Sequence, residues 1–303
     1  MLSDEGKAVD PTAAAQSELV SLAQSFDPGL SFQGSKSGLT VFIFGDPGTW
    51  KTSFAACFPK PLFLSCATEG GDSSLDYIPK LYNRPIPPRK LISSTSEMVE
   101  YLGKIQAAVG KGAFPFKTIV IDSITYYTEL WISEVVQVKD REIRKWIKSG
   151  KSGRSPYPEG PLMHQRDWGL LDGHIMKFLV PVLHNLGVNV VWTSLAQRVY
   201  ETDERGNQRL AEIKPMIPGR SGKLLAGACK LIIYAEQASV YDPKTMRRQA
   251  RPKYWVTPSS ATPIVRHKFG SSFPSGRITC PYFGEDYSTY FGLEAVLGHE
   301  IVQ

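Results

Sequence analysis

A loop at residues 45–52 carries the residue types that bind a polyphosphate. It reads Gly45-Asp46-Pro47-Gly48-Thr49-Trp50-Lys51-Thr52 and follows an apolar, strand-forming run at residues 39–44. Glycines let backbone N–H groups wrap around a phosphate, and a helix that begins after the loop adds its positive N-terminal end. The spacing fits the Walker A pattern of Gly, four residues, Gly, Lys and Ser or Thr at most positions. It predicts that Lys51 meets the β- and γ-phosphates of ATP and that Thr52 holds Mg²⁺.

One position of this loop departs from the Walker A pattern. Trp50 stands where the pattern has the glycine before the lysine. An indole at this position either lowers nucleotide affinity, slows turnover or points away from the phosphates. Nucleotide binding is therefore predicted, and efficient hydrolysis is left open. The alternative for the whole segment is a Gly/Pro turn ahead of an ordinary helix.

Two carboxylates lie at or after the ends of apolar strands. Asp122 ends the run Thr118-Ile119-Val120-Ile121, which is typical of a Walker B strand that delivers a carboxylate to Mg²⁺. Glu69 follows the strand that comes after the phosphate loop, where a carboxylate can orient and deprotonate the attacking water. The alternative for Glu69 is a solvated turn residue before Gly70 and Gly71.

The order of elements predicts an α/β fold. Apolar runs at residues 39–44, 61–66, 90–93, 117–122 and 188–194 read as strands, with amphipathic helical stretches between most of them. After residue 230 only short strands and turns follow. We expect a mainly parallel sheet with helices on both faces and antiparallel strands at the C-terminal edge. Residues 1–36 are predicted to be a tail or a subunit-docking arm, and residues 37–303 a single domain.

Composition narrows the class of protein. The 303 residues are 42% hydrophobic and 21% charged, as in a globular protein, and no run approaches the length of a membrane span. The start of the chain has no apolar segment of the secretory type, and the four cysteines are widely spaced, so we expect a cytoplasmic protein without a zinc site. The net charge of +6 permits a nucleic-acid partner.

In the order of these motifs the chain resembles RecA-type P-loop ATPases, in particular compact phage recombinases and single-strand-annealing ATPases. The resemblance spans about residues 37–270 and implies ATP and Mg²⁺ as cofactors, a bacterial or phage-infected cell, and a ring or filament with nucleotide between subunits. It implies that Glu69 is the catalytic base and that Gln197, close to Thr193 and Ser194, senses the γ-phosphate. It also implies that Arg266 and Lys268 reach the nucleotide of a neighbouring subunit.

Three segments, at residues 144–154, 198–223 and 244–253, concentrate positive charge, and the resemblance places the first two where DNA-facing loops lie. Each taken singly reads as a solvated surface. Taken together at these positions they predict DNA binding, with single-stranded DNA favoured over duplex. The candidate DNA-binding residues are Arg144, Lys145, Lys148, Lys151, Arg154, Arg198, Arg220 and Lys223.

Two other functions compete with a DNA-dependent ATPase. The first is a nucleotide-gated scaffold or loader that hydrolyses ATP slowly or not at all and acts through a protein partner. Trp50 favours this reading, whereas Glu69 and the basic segments favour the ATPase. The second is a small-molecule kinase, which is disfavoured because no lid or acceptor-site signature is visible.

Overall fold

The computed structural model describes residues 38–67, 73–82, 84–150, 152–242, 246–255, 265–268 and 277–279. The strands in these ranges are β1 (Thr40–Gly45), β2 (Pro61–Cys66), β3 (Arg89–Ile92), β4 (Thr118–Asp122), β5 (Asn189–Thr202), β6 (Gln208–Pro215), β7 (Leu231–Asp242), β8 (Arg247–Trp255), β9 (Arg266–His267) and β10 (Arg277–Thr279). The helices are α1 (Lys51–Ala56), α2 (Ser73–Asp76), α3 (Ile78–Tyr82), α4 (Thr95–Gly110), α5 (Ile124–Lys148), α6 (Gln165–Gly173), α7 (Val180–His184) and α8 (Ser221–Ala228), with a π-helical turn at His174–Leu179.

The strands form one mixed sheet in the order β10-β8-β7-β1-β5-β4-β2-β3. The six strands from β7 to β3 in this order are parallel to one another. At the β7 edge, β8 and β9 pair antiparallel with β7, and β10 pairs antiparallel with β8. The carboxyl ends of β1, β2, β4 and β5 therefore meet along one edge of the sheet. This arrangement confirms the predicted fold class, an α/β fold with a mainly parallel sheet and antiparallel strands at its C-terminal edge.

The core lies on both faces of the sheet because alternate residues of a strand point to opposite sides. Val41 and Ile43 of β1 pack in one buried cluster with Phe54 of α1. Phe42 and Phe44 pack in the other cluster, together with residues of α4 and α5. Every residue of β1 is buried, which explains its continuous apolar sequence.

Side chains of Ser94 and Glu97 cap the start of helix α4. The Ser94 side chain accepts a hydrogen bond from the Glu97 backbone N–H, and the Glu97 carboxylate accepts one from the Ser93 backbone N–H. These contacts satisfy donors that a helix start otherwise leaves unpaired. The buried side of the helix carries Met98, Leu102 and Ile105.

The structure differs from the sequence-based elements in three places. Strand β5 continues past residue 194, where the predicted strand ends, to Thr202, and it pairs with β6 as an antiparallel hairpin. The helical segment before β5 is divided by the π-helical turn that precedes Pro181. After residue 230, where only short strands were expected, β7 is a continuous strand of 12 residues.

No helix in the described ranges of the chain is both long enough and apolar enough to cross a membrane.

Candidate functional site

The glycines of the phosphate loop have separate structural roles. A Cβ atom on Gly45 would lie 2.2 Å from the Ala235 carbonyl oxygen of β7 and 2.8 Å from the Thr49 hydroxyl oxygen. Gly45 is therefore required because β7 and the loop itself approach the backbone closely. Gly48 has φ 76°, a conformation that glycine adopts without steric cost, and its added Cβ would meet nothing within 4 Å.

Trp50 occupies the position where the sequence pattern has glycine, and the backbone there is left-handed. Its φ and ψ are 58° and 28°, and it serves as the N-cap of α1. The Trp50 carbonyl accepts the first helical hydrogen bond from the Phe54 N–H at 2.9 Å. A bulky residue in this region of φ/ψ space costs about 1–2 kcal/mol relative to the right-handed conformation. The loop thus keeps the glycine-type backbone of the pattern although the glycine is replaced.

Lys51 is the first residue of α1 and its side chain turns back over the loop. The ammonium Nζ donates to the Gly45 carbonyl at 2.9 Å and to the Asp46 carbonyl at 2.8 Å, and lies 3.4 Å from the Thr49 hydroxyl. Lys51 is only 9% exposed, so its charge is fixed within the loop. A cation held at this point can meet the phosphates that the loop surrounds.

Two predicted Mg²⁺ ligands, which lie 70 residues apart in the sequence, are in contact. The Thr52 hydroxyl donates to Oδ2 of Asp122 at 2.9 Å. The other carboxylate oxygen of Asp122 accepts a hydrogen bond from the buried hydroxyl of Thr193 on β5. Strand order explains this meeting, because β5 lies between β1 and β4 and all three end at the same edge. Thr193 was expected near a phosphate sensor, and its contact with Asp122 was not foreseen.

The chemistry of this group of side chains fits Mg²⁺. A threonine hydroxyl and an aspartate carboxylate are hard oxygen ligands, and Mg²⁺ is ordinarily held by one or two such groups together with substrate phosphates and water. Among the described residues no group of three or more His, Cys, Asp or Glu side chains is placed to hold a metal ion. A Mg²⁺ ion at Thr52 and Asp122 would therefore rely on nucleotide phosphates for further ligands.

Arg198 contacts the phosphate loop, although the sequence suggested a contact with DNA. Its Nη1 donates to Oδ1 of Asp46 at 2.9 Å, and its Nη2 bonds the other carboxylate oxygen. The Asp46 carboxylate raises the pKa of the Arg198 guanidinium above its ordinary value. The spacing of 152 residues left no sequence signal for this pair. Only the extension of β5 past the sheet edge brings Arg198 over the loop.

Three other residues assigned to phosphate chemistry are Gln197, Glu69 and Arg266. Gln197 is exposed on β5, in register with Lys214 of β6. Glu69 lies outside the described residues, just after β2. The backbone of Arg266 pairs with Ile232, near the end of β7 that is remote from the loop.

Lys268, the second residue expected to act on a neighbouring subunit, contacts its own chain. Its Nζ donates to the Gly227 carbonyl in the last turn of α8 at 3.1 Å. Basic side chains are favoured at this end of a helix. A contact with a neighbouring nucleotide remains a prediction for both Arg266 and Lys268.

The candidate DNA-binding residues divide into paired and exposed groups. Arg144 pairs with Asp140 on α5 at 2.8 Å, and Arg220 pairs with Asp172 on α6 at 2.9 Å. The residues with exposed side chains and no ion pair to another described residue are Lys145, Lys148, Arg154 and Lys223. Lys151 lies outside the described residues. Three of these four residues belong to the basic segment at 144–154.

A buried ion pair anchors the chain that follows this basic segment. Lys139 of α5 is 5% exposed, and its ammonium bonds the Asp167 carboxylate and, at 2.8 Å, the Leu162 carbonyl. The same ammonium lies 5.3 Å from the ring centre of Tyr157, whose hydroxyl donates to Glu142 at 2.8 Å. The chain at residues 157–167 is therefore held against α5.

Replacing Trp50 by glycine is expected to raise ATP affinity or turnover. Glycine relieves the left-handed strain, gives the phosphates closer access and restores the Walker A pattern. Calorimetric titration with ATP and steady-state hydrolysis measure the two effects. Trp50→Ala is the matched control, because it removes the indole and keeps the backbone penalty. A folded Trp50→Gly protein that binds ATP more weakly or hydrolyses it more slowly would show that the indole contributes to the nucleotide site.

Comparison with known proteins supports this assignment of the loop. Residues 37–256 match the family model described as AAA domain. Among solved structures, the flagellar accessory protein FlaH from Methanocaldococcus jannaschii aligns at a TM-score of 0.38 and 9% identity, over 82% of this chain and 87% of that one. Comparison with curated proteins finds none that matches. Because the family match includes the loop, the Asp122 strand and most of the sheet, the chain belongs to the AAA-domain family of P-loop ATPases.

Proposed function

We propose that this protein binds and hydrolyses ATP with Mg²⁺ and couples the reaction to DNA, in a recombination or annealing role. The observation that carries the nucleotide part is the contact between Thr52 and Asp122, beside an ammonium fixed in the loop. A phosphate loop, a metal-binding hydroxyl and a strand-end carboxylate in one place are the parts that phosphoryl transfer requires.

The residues of the chain have distinct tasks in this proposal. The loop backbone and Lys51 bind and orient the polyphosphate, while Thr52 and Asp122 hold the metal. Thr193 fixes the orientation of the Asp122 carboxylate through its hydrogen bond. Bound Mg²⁺ would neutralise charge on the phosphate oxygens. Glu69 is the proposed base that positions the attacking water, because it follows β2, the strand beside β4.

Exposed positive charge supports the DNA part of the proposal. Lys145, Lys148 and Arg154 are exposed at the end of α5 and in the segment that follows it. Phosphate contacts by such residues give binding that is tolerant of sequence and sensitive to salt. Single-stranded DNA is the favoured substrate in this proposal. In the same proposal the chain forms a homo-oligomer, ring or filament, with nucleotide between subunits.

A scaffold or loader that hydrolyses slowly is the second candidate. The specific observation in its favour is Trp50, which puts a bulky side chain at a left-handed position directly before the phosphate-binding lysine. Such a protein would use ATP as a conformational signal and would act through a protein partner.

The rate of ATP hydrolysis with and without single-stranded DNA separates the two candidates. The proposed function predicts hydrolysis that single-stranded DNA stimulates strongly, with duplex of equal length less effective. The scaffold predicts a slow rate that neither DNA changes. An absence of hydrolysis under all three conditions would contradict the proposed function.

Removing basic residues from the end of α5 and from the segment that follows it is expected to weaken the salt dependence of DNA binding. The variant replaces Lys148, Lys151 and Arg154 by alanine and removes up to three phosphate contacts. The slope of log affinity against log salt should therefore fall by roughly 2 for single-stranded DNA and roughly 3 for duplex. Fluorescence anisotropy at a series of salt concentrations measures the slope.

A second triple variant controls for the loss of net charge. It replaces Lys60, Lys104 and Lys111, which are exposed on other parts of the chain, and should leave the slope unchanged. Equal slopes for the wild type and the first variant would show that this segment does not contact DNA. Residues 244–253 would then be the candidate DNA interface.

A further inference from the structure

Two cations from distant parts of the chain converge on one residue of the phosphate loop. Lys51 bonds the backbone carbonyl of Asp46, and Arg198 bonds its side-chain carboxylate. Lys51 is already expected to meet the phosphates of a nucleotide. Arg198 comes from β5, and thus brings a second positive charge to the same loop from another element.

The contact between Arg198 and Asp46 has the geometry of phosphate recognition. Both terminal nitrogens of the guanidinium engage both oxygens of the carboxylate. The planar fork of arginine matches a carboxylate and a phosphate equally well. The two side chains are 41% and 33% exposed, so the pair contributes little net stability and an incoming anion can reach it.

Arg198 is also placed where its movement at the phosphate loop would displace the β5–β6 hairpin. It lies in the first part of the β5–β6 hairpin, in register with Ile213. The hairpin extends past the parallel sheet and carries the exposed basic residues Arg205 and Arg209. A displacement of Arg198 would therefore move the base of a basic hairpin.

We propose that Arg198 is a terminal-phosphate ligand and that Asp46 holds it beside the loop in competition with the nucleotide. When ATP binds, the guanidinium exchanges the Asp46 carboxylate for oxygens of the γ-phosphate. ADP offers no such group, so the exchange distinguishes ATP from ADP. The inference rests on the proposed nucleotide binding and adds a specificity-determining residue to that site, in addition to Gln197.

The test compares ATP and ADP affinity in four proteins: wild type, Arg198→Ala, Asp46→Asn and the double variant. Arg198→Ala should lower ATP affinity about tenfold or more and leave ADP affinity nearly unchanged. Asp46→Asn should raise ATP affinity by up to about fivefold because the competing carboxylate is removed. In the double variant this gain should disappear. Calorimetric titration with each nucleotide and Mg²⁺ supplies all eight constants.

Two further variants strengthen the comparison. Arg198→Lys keeps the charge and loses the fork, so it should retain only part of the preference for ATP. Arg209→Ala removes a basic residue from β6 that pairs with Glu201 at 3.7 Å, and should change neither affinity.

Three results would overturn the proposal. In the first, Arg198→Ala changes ATP and ADP affinity equally, which would make the ion pair a structural contact. In the second, the gain from Asp46→Asn persists without Arg198, which would mean that the carboxylate repels phosphate directly. In the third, the wild type binds neither nucleotide, which would contradict the proposed function as well.

Discussion

Glu69→Gln is expected to bind ATP with wild-type affinity while its kcat falls by about 10²–10⁴-fold. Glutamine keeps the size and the hydrogen-bonding capacity of the side chain but cannot accept the proton of the attacking water. Lys51, Thr52 and Asp122, which bind the nucleotide and its metal, are unchanged. The order of strands supports this role, since Ser65 near the end of β2 is in register with Asp122. Titration and steady-state hydrolysis, measured under one condition, give the two quantities.

The control for this variant is Glu100→Gln, an equally conservative change at an exposed position of α4. It should leave turnover unchanged. If subunits assemble around nucleotide, Glu69→Gln should also retain the ATP-bound assembly, and Arg266→Ala or Lys268→Ala should weaken it. Sedimentation velocity with ATP measures the size of the assembly. A Glu69→Gln protein with wild-type turnover would show that Glu69 is only a turn residue.

Lys51→Ala is expected to reduce ATP affinity by about 10²-fold or more, to the limit of detection. Lys51 is the only lysine of the loop, and three loop oxygens hold its ammonium within 3.4 Å. Alanine removes the positive charge that compensates the phosphates. The glycines that set the backbone conformation of the loop are unchanged. Calorimetric titration measures the loss.

Lys60→Ala is the matched control for Lys51→Ala, because Lys60 is an exposed lysine that lies after the end of α1. It should bind ATP as the wild type does. Wild-type affinity in Lys51→Ala would mean that the Walker A assignment of residues 45–52 is wrong.

The parallel core could be predicted from sequence because its signals are local. β1 and β4 are short apolar runs, and each is followed by the polar residues that function requires, Lys51 after one and Asp122 at the end of the other. Strand ends of this kind meet at one edge in a parallel sheet, so the contact of Thr52 with Asp122 follows from the pattern. The start of α4 was predictable for the same reason, since its capping residues lie next to the helix.

The hairpin could not be predicted because its pairing depends on residues far along the chain. The polar sequence after residue 194 has the composition of a loop, and it becomes a strand by pairing with β6. Arg198 was interpreted as a DNA contact, and no pattern in the sequence indicated its contact with Asp46. Arg220 was interpreted in the same way and pairs with Asp172 of α6. Long-range ion pairs leave no periodic pattern in a sequence.

Trp50 shows a limit of a different kind. The pattern identifies the missing glycine, but it does not say whether the backbone changes with the residue. The structure keeps the left-handed conformation, with φ 58°, so tryptophan adopts the backbone that glycine ordinarily supplies. Its effect on hydrolysis depends on how the indole and a bound nucleotide share space, which the side-chain type alone does not determine.

The most direct test of the account is a calorimetric titration of ATP into the wild-type protein, with Mg²⁺ and then with a chelator in its place. We expect one ATP for each chain with Mg²⁺ and weaker binding without it, because Thr52 and Asp122 then have no metal to share with the phosphates. An absence of ATP binding under both conditions would contradict the central claim that residues 45–52 and Asp122 form a nucleotide site.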